Sequence, residues 1–498
     1  MEFKTRDYYE DLSTKLKLNC KALIDGKFVE SSSGEWFTTI NPATGQPIAE
    51  ITSCSVEDVE KAEIAARRSF DDGRWSKLKP STRKDILIHF SKLIMEYQEE
   101  FAVMETMDSG KPISHTLPGD VPTTAMTIAW HAEATDKLED VITAGDGAHI
   151  GMVVREPIGV VGAILPWNFP MAMAAWKLGP ILATGNSVIV KPAKLTSLTT
   201  IKLGELAMEA GIPNGVLNIL PGDGSVVGNA MASHPRMEAL TFTGSTKVGK
   251  KLLVQSGNTN AKRLFLEMGG KNPCIVMPDV DDLDYVAEVA VGAVFRNMGQ
   301  NCTSNSRLLV HESIKDLLLE KVLKKTAEWT TGDPFDPVNK LGALVEKKHM
   351  ETVLRYIKTG KDEGATLVYG GNQLYVQSNG YFVEPTVFDD VTPDMTIAKD
   401  EIFGPVLAVM SFKDEAEAIR IANDTQYGLQ ASLFTNDLST AHRMSRELQA
   451  GTVSVNCYSE GDISTPFGGF KQSGFMGRDK SVWANKQYTE LKTIWIKV

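Results

Sequence analysis

Between Gly159 and Met268 the chain repeats one pattern: a short, continuously apolar run, then a segment with apolar residues every three or four positions. The runs are GVVGAIL, NSVIVK, GVLNILPG, ALTFTG and KRLFLEM. Helical periodicity lies between them, near Met171 to Leu182, Leu198 to Ala210, Val226 to Ala232 and Thr246 to Gln255. Strands that are apolar on both faces and alternate with helices predict an α/β fold, a doubly wound and mostly parallel sheet. Ligands of such sheets bind beyond the carboxyl ends of the strands. The polar turns PWN, KPAK, GDG, TGS and EMGG all fall there.

The 498 residues are enough for two or three domains. Upstream, KALIDGKFVESSSGEWFTTINPATGQ alternates β-rich runs with turn signals and reads as a small antiparallel entry. Helical patterns follow, the last of them over AMTIAWHAEATDKLEDV, which puts Trp130, Glu133 and Lys137 on one face. A second alternating unit starts at CIVMPDV, runs to about Phe412 and closes with the glycine-rich TPFGGFKQSGFMGRDK. The final YTELKTIWIKV is β-patterned and is expected to pair with another strand; if that partner is the HIGMVVRE region or another subunit the tail is an oligomerisation device, and simple sheet completion is the alternative.

A formal charge of −11, from 52 basic and 63 acidic residues, with no basic run, argues against nucleic acid and anionic membranes as partners. The five cysteines are scattered without CxxC spacing, so neither a disulfide framework nor a metal site is expected. The N-terminal stretch mixes acids and bases without an apolar core, unlike a secretory signal. A soluble, cytoplasmic protein is the expectation.

Several residues at the strand ends and turns suit chemistry. Cys302 lies in the polar turn FRNMGQNCTSNSR, just after a helix-period segment from Asp282 to about Met298 that Gly299 ends. Amides and hydroxyls around a thiol orient its attack more readily than they pack a core. Glu267 ends an apolar strand beside Gly269 and Gly270, as a general base would; a loop-facing carboxylate is the alternative. Asn168 is a neutral donor suited to an oxyanion, or simply a turn asparagine. Gly244 and Ser245 open a helix straight after a strand, which suits a phosphate or an ordinary N-cap. No G-x-G-x-x-G follows a strand, and Gly222, Gly224 and Gly228 offer only a related spacing. Lys191 ends a strand at the same edge.

PWNFP, FTGSTKVG, LEMGGKNP, GQNC, EIFGPV and PFGGFKQSG, in this order, resemble the NAD(P)-dependent aldehyde dehydrogenase superfamily, over about Leu23 to Ile496. The resemblance implies a Rossmann-type parallel-sheet coenzyme domain (1–136 and 157–268), an α/β catalytic domain (269–475) and a small β oligomerisation element (137–156 and 476–498) of a homodimer or homotetramer. It implies that Cys302 is the nucleophile and Glu267 the general base. Asn168 would hold the oxyanion with the Cys302 N–H, and Lys177 and Asp479 would relay protons. Around NAD or NADP it places Trp167, Lys191, Lys194, Gly224, Gly244, Ser245, Glu401 and Phe403.

Three departures stand out. Lys194 replaces the usual glutamate and makes NADP more acceptable. Ser304-Asn305 replaces a small-Gly pair, where asparagine tolerates positive φ. SGFMGRD carries one residue more than the usual SGxGRE, which loosens the placement of Asp479. AEATDK, DISTPFGG and TELKTIWI are similar to the bacterial aminoaldehyde subgroup. There Glu133 and Asp462 would meet a cationic tail, with Trp176 and Phe467 as aromatic walls. Neutral medium-chain or aromatic aldehydes are the alternative substrates. A CoA-acylating enzyme would generally lack Glu267, and a silent structural homologue would have no need of Cys302, Glu267 and Asn168 together.

Overall fold

The alternating stretch forms the middle of an eight-stranded sheet in the computed structural model, which describes residues 2–498. Strands Leu217–Ile219, Ser187–Lys191, Val160–Ile164, Ala239–Thr243 and Arg263–Glu267 lie side by side, all parallel. Every residue of the three central ones is buried, which explains the unbroken apolar runs. Helices Pro170–Ala183, Leu198–Glu209 and Thr246–Gly257 fall where the periodicity puts them. The expected helix near Val226 is a wide turn, Gly224–Gly228, running into the short helix Asn229–Ser233.

The hairpin Ala22–Ile24 and Lys27–Val29 extends one edge of this sheet. At the other edge Gly474–Phe475 pairs antiparallel with Leu266 and Glu267. The glycine-rich run thus closes the first sheet beside Glu267, although it follows the second alternating unit in sequence.

That second unit is a seven-stranded sheet. Its central strands are Val406–Phe412, Arg307–His311, Pro273–Val276 and Gln430–Phe434, all parallel, around a separate apolar core. A third, three-stranded sheet joins Val141–Thr143, His149–Pro157 and Thr489–Lys497. The tail strand pairs with His149–Pro157 over its whole length, Thr489 opposite Pro157 and Lys497 opposite His149. Ile142, Leu491 and Trp495 on this sheet are exposed.

Two helices end earlier than their periodicity suggests. The one carrying Trp130 stops at Glu133, and a tight turn over Ala134–Asp136 carries Lys137 off its face. The one before Cys302 stops at Phe295, for reasons that belong to the site. Among the described residues no helix is long and apolar enough to cross a membrane.

Candidate active site

Helix Leu283–Phe295 is capped by Asp282, whose side chain accepts from the Tyr285 N–H. After Phe295 the chain reverses through Asn297, Met298 and Gly299, at φ 55°, 57° and 70°. A left-handed methionine costs roughly 1–2 kcal/mol. Side-chain bonds offset this: Asn297 Nδ2 donates to Asn168 O at 2.9 Å and to Gln300 O at 3.0 Å. Asn168 Nδ2 also donates to Gln300 O, at 3.0 Å, so the asparagine of PWN and the cysteine turn hold each other. Gly299 has no substitute, because a Cβ there would lie 2.1 Å from Gly404 O.

Beyond the turn, Asn272 Nδ2 donates to Cys302 O at 2.8 Å and to Ser304 O at 3.0 Å. Gly270 passes so close that a Cβ would come within 2.2 Å of Cys302 O. The Cys302 N–H has no backbone partner among the described residues. Asn305 departs from expectation. It is not at positive φ but buried, donating to Gln430 Oε1 at 2.5 Å and accepting from Ser432 Oγ at 2.8 Å. It acts as a core amide that ties the turn to strand Gln430–Phe434, and its backbone freedom is not used.

Cys302, Asn168, Glu267, Trp176, Phe467 and Asp479 line one cavity of about 320 Å³. That volume suits a small organic ligand. Glu267 is 3% exposed, and neither carboxylate oxygen accepts a well-formed hydrogen bond. Burial, then the charge of Asp479, holds it well above the usual carboxylate range, with Lys177, Arg478 and the Gly469 N–H opposing. Burial also pushes the Cys302 thiol up, and Glu460, Glu401 and Glu267 add to this. A reactive thiolate here therefore needs a proton acceptor or a positive charge close by.

Lys177 and Asp479 form a buried ion pair at 2.5 Å. The longer SGFMGRD run does not displace Asp479. Phe467 and Asp479 exchange backbone hydrogen bonds of 2.7 Å each way, and the chain between them turns outward at the exposed, left-handed Met476. Breaking the pair leaves an unpaired buried carboxylate. Lys177→Met is expected to cost about 3–5 kcal/mol of stability. The double variant Lys177→Met/Asp479→Leu should recover most of it, as thermal or denaturant unfolding would show.

Two residues expected near the substrate are not on the cavity lining. Glu133 is exposed at its helix end and pairs with Lys84 at 2.5 Å, outside the cavity lining. Asp462 is exposed and accepts from the Ser464 N–H at 2.9 Å, also off the lining. The cavity carries instead Glu460, Lys480 and Arg296, which sequence reasoning missed. Glu460 Oε1 accepts from Thr303 Oγ1 at 2.5 Å, next to the cysteine. Trp176 and Phe467 do pack edge to face at 5.1 Å. The cation on them, however, is internal: Lys480 Nζ lies 4.5 Å and 5.3 Å from the two ring centroids. Burial lowers the Lys480 pKa, against the opposing charges of Glu460, Asp479 and Asp462. The only hint in the sequence was charge within irregular loops, SEGD and GRDK, where no periodicity says which side chain turns inward.

A second group gathers at the strand ends of the first sheet. Lys191 is buried, its ammonium donates to Pro192 O at 2.7 Å, and burial lowers its pKa to about 8. Gly224 lies beside it, a Cβ there falling 3.9 Å from Lys191 Cε. The Gly244 N–H donates to Glu267 O at 3.1 Å, joining the two strand ends. Ser245 caps helix Thr246–Gly257 by accepting from the Val248 N–H at 3.4 Å, while the buried hydroxyls of Thr243 and Thr246 have no well-formed partner among the described residues. Burial pushes Glu401 up to about 7 even though its Oε1 accepts from the Gly270 N–H at 2.8 Å. Phe403, at φ 58°, packs edge-on to Trp167 at 5.2 Å. Lys194 is exposed, 3.8 Å from Asp223 and over the Phe37 ring at 5.4 Å, so part of its charge is already offset.

Outside both groups, Glu60, Glu63 and His234 cluster as potential metal ligands, but the Arg236 guanidinium lies against both carboxylates.

Comparison with known proteins agrees with this geometry. Residues 28–494 match the model of the aldehyde dehydrogenase family. The chain is 50% identical over 495 residues to the aminoacetaldehyde dehydrogenase of Pseudomonas aeruginosa, covering 99% of each chain. It is 44% identical to an NADP/NAD-dependent aldehyde dehydrogenase of Escherichia coli, covering 100% of both. The crystal structure of a gamma-glutamyl-gamma-aminobutyraldehyde dehydrogenase from Burkholderia cenocepacia superimposes with a TM-score of 0.97, at 47% identity over 99% of this chain and 100% of that one. Fold, cavity and full-length similarity lead to one conclusion: this chain belongs to the aldehyde dehydrogenase family.

Proposed function

We propose that this protein oxidises aminoaldehydes to the corresponding carboxylic acids with NAD or NADP, through a thioester on Cys302. The observation that carries the proposal is the meeting of a thiol, a neutral amide donor and an unpartnered buried carboxylate in one cavity. Cys302 Sγ adds to the aldehyde carbon. The Asn168 amide and the Cys302 N–H take the developing oxyanion. Glu267, once ionised, accepts a proton from the water that hydrolyses the thioester, and Lys177 with Asp479 passes it on. A CoA-acylating reaction has no use for that base, which favours hydrolysis.

The strand-end group fits a dinucleotide. The buried Lys191 and the half-buried Glu401 have no ion-pair partner among the described residues and are suited to ribose hydroxyls. The unpartnered Thr243 and Thr246 hydroxyls lie where Ser245 opens a helix, suited to the pyrophosphate. Phe403 and Trp167 form an aromatic step toward the nicotinamide end. When bound, the nicotinamide supplies the hydride acceptor. Lys194 keeps NADP acceptable beside NAD. The names of the Pseudomonas and Burkholderia relatives support the aminoaldehyde class.

We assign the three-stranded sheet to oligomerisation, as a homodimer or homotetramer, because Ile142, Leu491 and Trp495 stand exposed on it. The acidic surface and five unpaired cysteines support a cytoplasmic location. Steady-state kinetics on aminoaldehydes and neutral aldehydes of equal length, each with both cofactors, tests the reading. Aminoaldehydes are expected to show the higher kcat/KM. Oxidation of the neutral series alone would overturn the substrate class, and no oxidation at all would leave a silent homologue.

A further inference from the structure

Glu460 is a carboxylate beside the nucleophile for which the reaction above has no role. It is half-buried, lines the same cavity as Cys302 and forms no ion pair among the described residues. The other acids of that lining are accounted for: Asp120 pairs with Lys111, Asp479 pairs with Lys177, and Glu267 serves as the base. Neither cation of the lining neutralises Glu460. Lys480 donates to the Glu460 and Gly461 carbonyls, at 3.2 and 3.4 Å, rather than to the carboxylate, and Arg296 is exposed.

Hydrogen bonds carry the influence of this carboxylate to the thiol. Glu460 Oε1 and Asn301 Oδ1 both lie within reach of Thr303 Oγ1, at 2.5 and 3.0 Å. A hydroxyl has one proton to give, and the closer, charged acceptor takes it. Tyr458 Oη in turn donates to Thr303 Oγ1 at 2.8 Å and accepts from Asn301 Nδ2 at 3.1 Å. The Thr303 N–H, 3.3 Å from Asn301 Oδ1, fixes which end of that amide faces the cysteine. Asn301 Oδ1, left without the hydroxyl proton, is thus the acceptor 3.9 Å from Cys302 Sγ. A carbonyl oxygen facing the sulfur favours the S–H form over the thiolate. The charge acts in the same direction: after burial, Glu460 is the first of the charges that push the Cys302 thiol up, ahead of Glu401 and Glu267.

We propose that Glu460 is a positioning residue that keeps Cys302 a neutral thiol in the free enzyme, by its charge and by drawing the Thr303 proton away from Asn301. This rests on Cys302 as the nucleophile in the reading above and adds a control on it. The resting thiol is thereby less open to alkylation and oxidation. The rival roles for Glu460 are a purely structural tie to Thr303 and a contact made only with the substrate.

The test follows alkylation of the enzyme, free of substrate and cofactor, by the uncharged probe iodoacetamide across pH, read at the Cys302 peptide by mass spectrometry. Peptide resolution is needed because Cys20 and Cys457 are also partly exposed. Wild type, Glu460→Gln and Glu460→Asp are compared. Glutamine keeps an oxygen for Thr303 and removes the charge, so the Cys302 midpoint is expected to fall by about one pH unit. A less basic thiolate is also a weaker nucleophile, so the rate below the midpoint should rise only about three-fold. Glu460→Asp restores the charge and should return the midpoint most of the way. An unmoved midpoint in Glu460→Gln overturns the proposal, since both rival roles lead to that result. A Glu460→Asp midpoint that stays with Glu460→Gln overturns it too, because shape rather than charge would then decide. A wild-type midpoint at or below the ordinary thiol value overturns it whether or not the variants fold. Aldehyde oxidation is measured in parallel. A wild type that oxidises no aldehyde, with the midpoints as expected, removes the proposed function and leaves the control of the thiol supported.

Discussion

Cys302→Ala is expected to abolish aldehyde oxidation, lowering kcat on the order of 10⁴-fold or more, because no other thiol lines the cavity. The fold should be unaffected. The turn is held by Asn297, Asn272, Gly270 and Gly299, none of which contacts the sulfur for support. The one polar approach to Sγ is a loose 3.9 Å contact with Asn301 Oδ1. The variant should therefore melt with the wild type and still bind NAD, which cofactor-fluorescence titration would measure. Substantial residual turnover would end the assignment of Cys302 as nucleophile. A large fall in melting temperature would instead show that the thiol is a packing element.

Glu267→Gln separates two steps of the reaction. With the base gone but the shape kept, addition and hydride loss continue while thioester hydrolysis stalls. The expected result is a burst of about one NADH per site, followed by steady turnover reduced about 10²- to 10⁴-fold. Rapid-mixing absorbance would show it, and a variant with wild-type steady-state turnover would remove Glu267 from the mechanism. The pH behaviour has a definite sign. The wild-type carboxyl must ionise to act, and burial raises its pKa, so hydrolysis should increase with pH along a limb displaced above the ordinary carboxylate range. Stability runs the other way. Between the ordinary and the raised pKa the folded state binds more protons than the unfolded one. This group's contribution is then complete below the ordinary carboxylate pKa and is lost as pH rises through the raised one. Glu267→Gln should accordingly gain thermal stability over wild type as pH increases, a gain absent at acid pH.

The parallel core was legible because its strands are buried on both faces and its helices are amphipathic, so period alone told them apart. That Cys302, Glu267 and Asn168 meet in one cavity was legible for a related reason: strand ends and glycine turns restrict where a side chain can point. The substrate end was not. Glu133 had the right helical face, but its helix terminates there and Lys84 claims its charge. Asp462 and Glu460 stand two residues apart in one irregular loop, and the one turned inward is fixed by Thr303, far away in sequence. Asn305 misled in another way. The residue type suggested a backbone role, while its partners Gln430 and Ser432 come from a strand that pairs beside Pro273–Val276 only in the folded sheet.

The edge strand Gly474–Phe475 also has a bearing on biosynthesis. The chain is made from its N-terminus, so Cys302 and Asn168 exist well before the residues that finish their surroundings. Glu267 gains its edge partner only when Gly474 emerges, and Lys177 gains its counter-ion only with Asp479. Until then the first sheet ends in an open edge beside Glu267. With Cys302 as the proposed nucleophile, a ribosome-stalled or clipped chain that lacks Gly474 and Asp479 should therefore be inert rather than a truncated enzyme.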